Sequence, residues 1–96
     1  MQSDREEYEC ISELFERFSK SYGYEFLKND KSKSVSITVR DSGHELQFSY
    51  VFGNNRVFVV DEWDPMSTIG TTNLQHLPSD ITYKIAKWKK SISEKG

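Results

Sequence analysis

The stretch Ser34–Trp63, SVSITVRDSGHELQFSYVFGNNRVFVVDEW, decides the fold. Val35, Ile37 and Val39 alternate with Ser34, Ser36, Thr38 and Arg40, and a period of two marks a half-buried strand. DSG then signals a tight turn. In HELQFSYVF the alternation resumes, with Leu46, Phe48, Tyr50 and Phe52 on one side. GNN is a second turn, and RVFVVDEW is rich in the β-branched and aromatic residues that suit a pleated surface. Strands joined by turns this short are antiparallel neighbours. The pattern predicts one apolar sheet face, with Ser36, Thr38, Gln47 and Ser49 turned to water on the other.

Upstream, Ser3 and Glu6 make the S-x-x-E pattern of a capping box. Tyr8, Ile11, Phe15, Phe18 and Tyr22 recur at steps of three and four, and Leu14 widens the stripe. This predicts an amphipathic helix over Ser3–Tyr22, with Gly23 just beyond its end. Glu6, Glu9, Glu13 and Glu16 fall on the other face. Glu13 with Arg17, and Glu16 with Lys20, are i,i+4 pairs in the favourable order. YEFLK, with Tyr24 and Phe26 alternating, reads as a short first strand, and NDKSK as a turn.

Downstream, Pro78 suits the first turn of a last helix, with Ser79 or Asp80 as cap. Ile81, Ile85, Trp88 and Ile92 form its apolar stripe, and Lys84, Lys87, Lys89 and Lys90 lie off it. Between Asp64 and Leu77 neither period is found. So long an irregular connection is uncommon in a small domain and points to a functional segment. The alternative is that MSTI, Met66–Ile69, is one more short edge strand with Met66 and Ile69 packed inward.

The expected fold is therefore α+β, a single two-layer domain over 1–96. It has an N-terminal helix, an antiparallel meander of three to four strands, an irregular segment and a C-terminal helix. One apolar sheet face and two apolar helical stripes are buried together most simply if both helices lie on that face. Ile11, Phe15, Phe18, Ile37, Val39, Phe48, Tyr50, Ile85 and Trp88 are the expected core.

The chain has 96 residues, 35% hydrophobic and 14% aromatic, enough to fill a thin core of one domain. The formal net charge of −2 argues against a protein built to coat nucleic acid. One cysteine, Cys10, excludes an internal disulfide and fits a reducing compartment. MQSDREEYEC has no apolar signal region, and no stretch approaches a membrane span. A cytoplasmic protein is expected.

Catalytic and cofactor patterns are absent from the sequence. It has no phosphate-binding glycine loop and no nucleophile elbow. His44 and His76 do not make a zinc pattern, and Cys10, between positions of the apolar stripe, reads as a small, partly buried thiol. Asp61, Glu62 and Asp64 cluster around Trp63. If the strand runs that far, Asp61 and Glu62 point to opposite faces, which suits edge solubility better than a cation. No enzyme, cofactor or metal is expected.

The order of an acidic first helix, an antiparallel sheet and a closing helix resembles that of frataxin-like iron proteins. The resemblance is one of element order. No family motif matches residue by residue, so no metal chemistry is carried over. Helix, three strands and helix is also the order of double-stranded RNA-binding domains, whose basic signature the last helix does not reproduce.

The function expected from these features is that of a small non-enzymatic protein-binding module: an inhibitor, immunity or accessory protein that occupies a partner protein's surface. Asp61, Glu62, Trp63, Asp64, Met66 and Ile69 are the expected partner-binding residues, apolar groups beside an acidic rim. A nucleic-acid-binding domain using Tyr83, Lys84, Lys87 and Lys90 of the basic C-terminal helix is the alternative.

Overall fold

In a computed structural model, which describes residues 3–63 and 67–95, the chain forms one α+β domain. Helix α1 spans Asp4–Tyr22, strands β1 to β5 span Glu25–Asn29, Ser34–Asp41, His44–Val51, Arg56–Val60 and Ser67–Gly70, and helix α2 spans Leu77–Lys95. The strands form one antiparallel sheet in the order β1-β2-β3-β4-β5.

Local chemistry sets the ends of α1. Ser3 is extended and its Oγ accepts a hydrogen bond from the Glu6 amide at 3.2 Å, while Gly23 adopts φ 74° and donates its amide to the Ser19 carbonyl at 2.8 Å. A side chain at Gly23 would resist that left-handed backbone. On the solvent face, Arg5 pairs with Glu9 at 3.4 Å and Lys20 with Glu16 at 3.3 Å. Between β2 and β3, Ser42 and Gly43 both have positive φ, the primed turn whose twist matches that of the strands it joins.

All nine expected core residues lie in one buried cluster. The sheet contributes Val35, Ile37, Val39, Leu46, Phe48, Tyr50, Val57, Val59 and Ile69, all from one face. Ile11, Phe15 and Phe18 of α1, and Leu77, Ile81, Ile85, Trp88 and Ile92 of α2, complete the cluster. Both helices therefore lie on the same side of the sheet.

Several local expectations are corrected. The meander has a fifth strand, as the edge-strand alternative for the apparently aperiodic stretch has it: Ile69 pairs opposite Val57 and Thr68 opposite Phe58. Helix α2 begins at Leu77, the Asp80 amide bonding the His76 carbonyl at 3.0 Å, so Ser79 and Asp80 lie inside the first turn rather than at the cap. Tyr22, the last residue of the helical stripe, is 62% exposed, stacked between Phe18 and Tyr24. Cys10 is exposed, since a step of one residue from Ile11 rotates it off the buried stripe. Thr38 is buried rather than open to water. It sits between Glu25 and Gln47 across the strands, with Arg40 two residues along, and these longer side chains surround it.

A buried carboxylate ties α1 to the sheet. Glu7 is placed four residues before Ile11, on the apolar side of the helix, and is buried. Its Oε1 accepts from the Tyr50 hydroxyl, and its Oε2 accepts from Thr71 Oγ1 at 2.8 Å. Two hydroxyl donors replace the water this carboxylate loses, which is the condition for keeping such a group inside. Burial, and then the Glu7 carboxylate itself, push the Tyr50 phenol well above its ordinary value of 10.0.

Candidate protein-binding surface

The face of the sheet opposite the helices is left open by the described residues. Its middle row crosses all five strands as Leu27, Ser36, Ser49, Phe58 and Thr68. One row toward the β2–β3 turn come Glu25, Thr38, Gln47 and Val60; the opposite row holds Asn29, Ser34 and Val51. Strict alternation puts these residues here, because each is out of phase with the core set. Leu27 is 58% and Val51 37% exposed, and Phe58 and Val60 are half-buried. Leu27 and Phe58 flank the two serines, so the centre of the face is a shallow trough. A depression of about 480 Å³ lies over it on the β1 side, lined by Leu27, Asn29, Ser36, Ser49 and Val51 among others.

Charge on this face is pushed to its ends. At one end Arg40 donates to Glu45 at 2.9 Å and to Glu25 at 3.0 Å. Those two bonds, Glu45 first, hold the guanidinium above its ordinary range. At the other end stands Arg56, two residues before Phe58 on the same strand. The row between carries no ionisable side chain, in a chain of which 29% is charged.

The expected partner-binding residues meet this face at one corner only. Asp61 is half-buried and accepts the Trp63 amide at 2.7 Å. Glu62 is exposed and lies 2.8 Å from His44 Nδ1. Trp63 packs on the core edge with its ring 5.1 Å from that of His44. His44 is therefore half-buried and partnered. Asp61 and Glu62 line a second depression of about 350 Å³ with Glu45, Gln47 and Val60 of the open face. Asp64 and Met66 lie outside the described residues. Ile69 is brought elsewhere: it is 8% exposed and joins the core from β5, so its side chain offers no docking surface. Trp63 and Leu74 pack against the core and Leu77 is buried within it, which anchors the connection on both sides as its apolar residues suggest.

The sequence predicts a water-facing side of the sheet at Ser36, Gln47 and Ser49; what it does not reveal is the apolar residues set among them. These are Leu27, Val51 and Phe58, apolar residues at polar positions of the alternation. Each looked unremarkable alone, and only the register assembles them.

The outer face of α2 is the contrasting surface. Tyr83 is 65% exposed and borders a depression of about 460 Å³ with Lys87 and Lys90. Among the described residues, Lys84, Lys87, Lys89 and Lys90 make no ion pair.

Among the described residues no three His, Cys, Asp or Glu side chains converge as metal ligands would, and no helix is long and apolar enough to cross a membrane. Comparison with protein-family models, curated proteins and solved structures finds no match.

Proposed function

We propose that this chain is a small protein-binding module, of the inhibitor, immunity or accessory kind, that works by occupying a partner protein's surface with its open sheet face and the adjoining Asp61–Glu62–His44 corner. One observation carries the reading: the face is uncharged in the middle, apolar at Leu27, Val51, Phe58 and Val60, and charged only at its ends. Depletion of charge at the centre with a polar rim is the compositional mark of protein interfaces. A nucleic-acid surface needs free cations at its centre; the middle row here has none, Arg40 at one end is held between two glutamates, and Arg56 stands alone at the other among the described residues.

The test is affinity capture from the native host with three forms of the chain: the wild type, Leu27→Asp/Val51→Asp, and Lys87→Glu/Lys90→Glu. A specific protein retained by the wild type and the lysine variant, and lost with the Leu27/Val51 variant at unchanged melting temperature, is the expected result. Retention by the Leu27/Val51 variant would refute the assignment of the face.

The second reading, a polyanion-binding domain, is favoured by the α2 lysines, which make no ion pair among the described residues, and by exposed Tyr83. It predicts the reverse result: nucleic acid in the eluate, lost with Lys87→Glu/Lys90→Glu.

A further inference from the structure

We infer that the occupant of the open face is an amphipathic α-helix of the partner, laid along the strands between Leu27 and Phe58, its basic end over Glu25, Glu45 and Glu62 and its acidic end over Arg56. The inference rests on the protein-binding reading above and specifies what that surface takes.

Shape comes first. Ser36 and Ser49 are the floor, neighbours across β2 and β3, and Leu27 on β1 and Phe58 on β4 are the walls. The walls stand three strand spacings apart, about 14 Å. A helix with its side chains is about 10–12 Å across, so it would rest on the serines with its flanks against Leu27 and Phe58. The small serine side chains let its backbone approach at the middle row, and Gln47 and Val51 stand on β3 one row to either side of it. The face already has the geometry by which helices cover a sheet; α1 and α2 do so on the other side.

Charge sets the orientation. Near the β2–β3 turn lie Glu25, Glu45 and Glu62, against Arg40 and His44. The opposite end has Arg56; Lys28 and Lys33 near the β1–β2 turn reach the helix side instead, over the rings of Tyr8 and Phe52. The rows of Glu25 and Asn29 are four strand steps apart, about 13 Å. That distance corresponds to roughly nine residues of helix. The partner segment is thus a helix of about three turns with small or apolar residues along its seam, Lys or Arg near one end and Asp or Glu near the other.

Other occupants fit less well. A second copy can match acidic to basic ends only through a two-fold axis running across the strands. That axis sets Leu27 against Leu27 and serine floor against serine floor, ridge on ridge with a void between. An extended peptide would take a sheet edge, where backbone groups are free, and not the trough.

The experiment is a peptide selection on the purified full chain from two libraries of equal size, one helix-biased and one rich in β-branched residues. The selected peptides are then measured by fluorescence anisotropy. The expected result is helical binders with an i, i+3, i+4, i+7 apolar period and opposite charges at their ends. Ser49→Arg, which fills the trough from the solvent side, should weaken them at least tenfold with the melting temperature unchanged. Arg56→Glu should weaken them severalfold, and reversing the peptide's acidic end should restore binding. Should Ser49→Arg itself unfold the chain, Leu27→Asp serves as the blocking variant. Binders only from the β-rich library, helical binders indifferent to both blocking variants, or no binders overturn the inference. A concentration-dependent dimer in light scattering, abolished by Ser49→Arg, would assign the face to a second copy instead. If the captured cellular partner depends on Leu27 and Val51 but is not displaced by selected helices, the helix fails and the protein-binding reading stands.

Discussion

Phe48 and Tyr50 are neighbours on β3 with different work. Phe48 is wholly buried and reaches the core with no polar atom to satisfy. Phe48→Ala should cost about 3–5 kcal/mol, the lost transfer energy plus the cavity left behind. A small domain has only about 5–15 kcal/mol in total, so the melting temperature should collapse or the chain should fail to fold. An unchanged melting temperature would remove Phe48 from the core. Tyr50 also donates to the buried Glu7 carboxylate. Tyr50→Phe should cost about 1–3 kcal/mol, because Glu7 keeps only its Thr71 donor. Burial and Glu7 raise the Tyr50 phenol in the folded state from 10.0, so the folded chain holds that proton more tightly than the unfolded chain does. The contribution is fully present below pH 10 and declines as pH rises above it, toward the higher folded-state value. Urea melts at stepped pH should therefore show the gap between wild type and Tyr50→Phe narrowing above about pH 10.

Among the elements, β5 is the informative one. It has four residues, an edge position, and one buried side chain, Ile69. Ile69→Ala should destabilise by about 2–5 kcal/mol, at the low end because the edge can relax. Hydrogen exchange should report the loss first at the β4–β5 pairs, while β2 and β3 keep their protection. Full retention of stability would mean that β5 is not closing the core. The amphipathic helix α1 and the alternating strands β2, β3 and β4 were readable because their periods run over several turns or alternations. A four-residue strand has too little pattern to choose between a loop and an edge strand, and the sequence supports both readings. Its position is decided by the unpaired edge of β4, a partner distant from it in the chain.

For the whole molecule, the charges form three regions. Ion pairs temper the acidic α1 surface, α2 carries lysines that make no ion pair among the described residues, and the open face is neutral between charged ends. With a net charge of −2, a polyanion approaching from a distance meets little attraction. Gel shifts with duplex DNA, single strands and duplex RNA at physiological salt should show no sub-micromolar binding. Tight binding that falls steeply with added salt would transfer the function to the α2 lysines.

By itself the sequence determined what depends on neighbours along the chain. The cap at Ser3, the stop at Gly23, the turn at Ser42–Gly43 and the two helical stripes all follow from local sterics, local hydrogen bonds and the period of apolar residues. The shared burial of those stripes on one sheet face follows as well, since each apolar surface needs the others. Only the tertiary structure decided what depends on register. It moved Ile69 from a candidate contact into the core, buried Thr38 beneath longer neighbours, and gave Glu7 its partners from β3 and the loop after β5. It also set Leu27, Ser36, Ser49 and Phe58 side by side as a trough. These residues are far apart in sequence and unremarkable singly. They become a surface because cross-strand hydrogen bonds hold their strands in one alignment, and a slip of one residue would turn each to the other face.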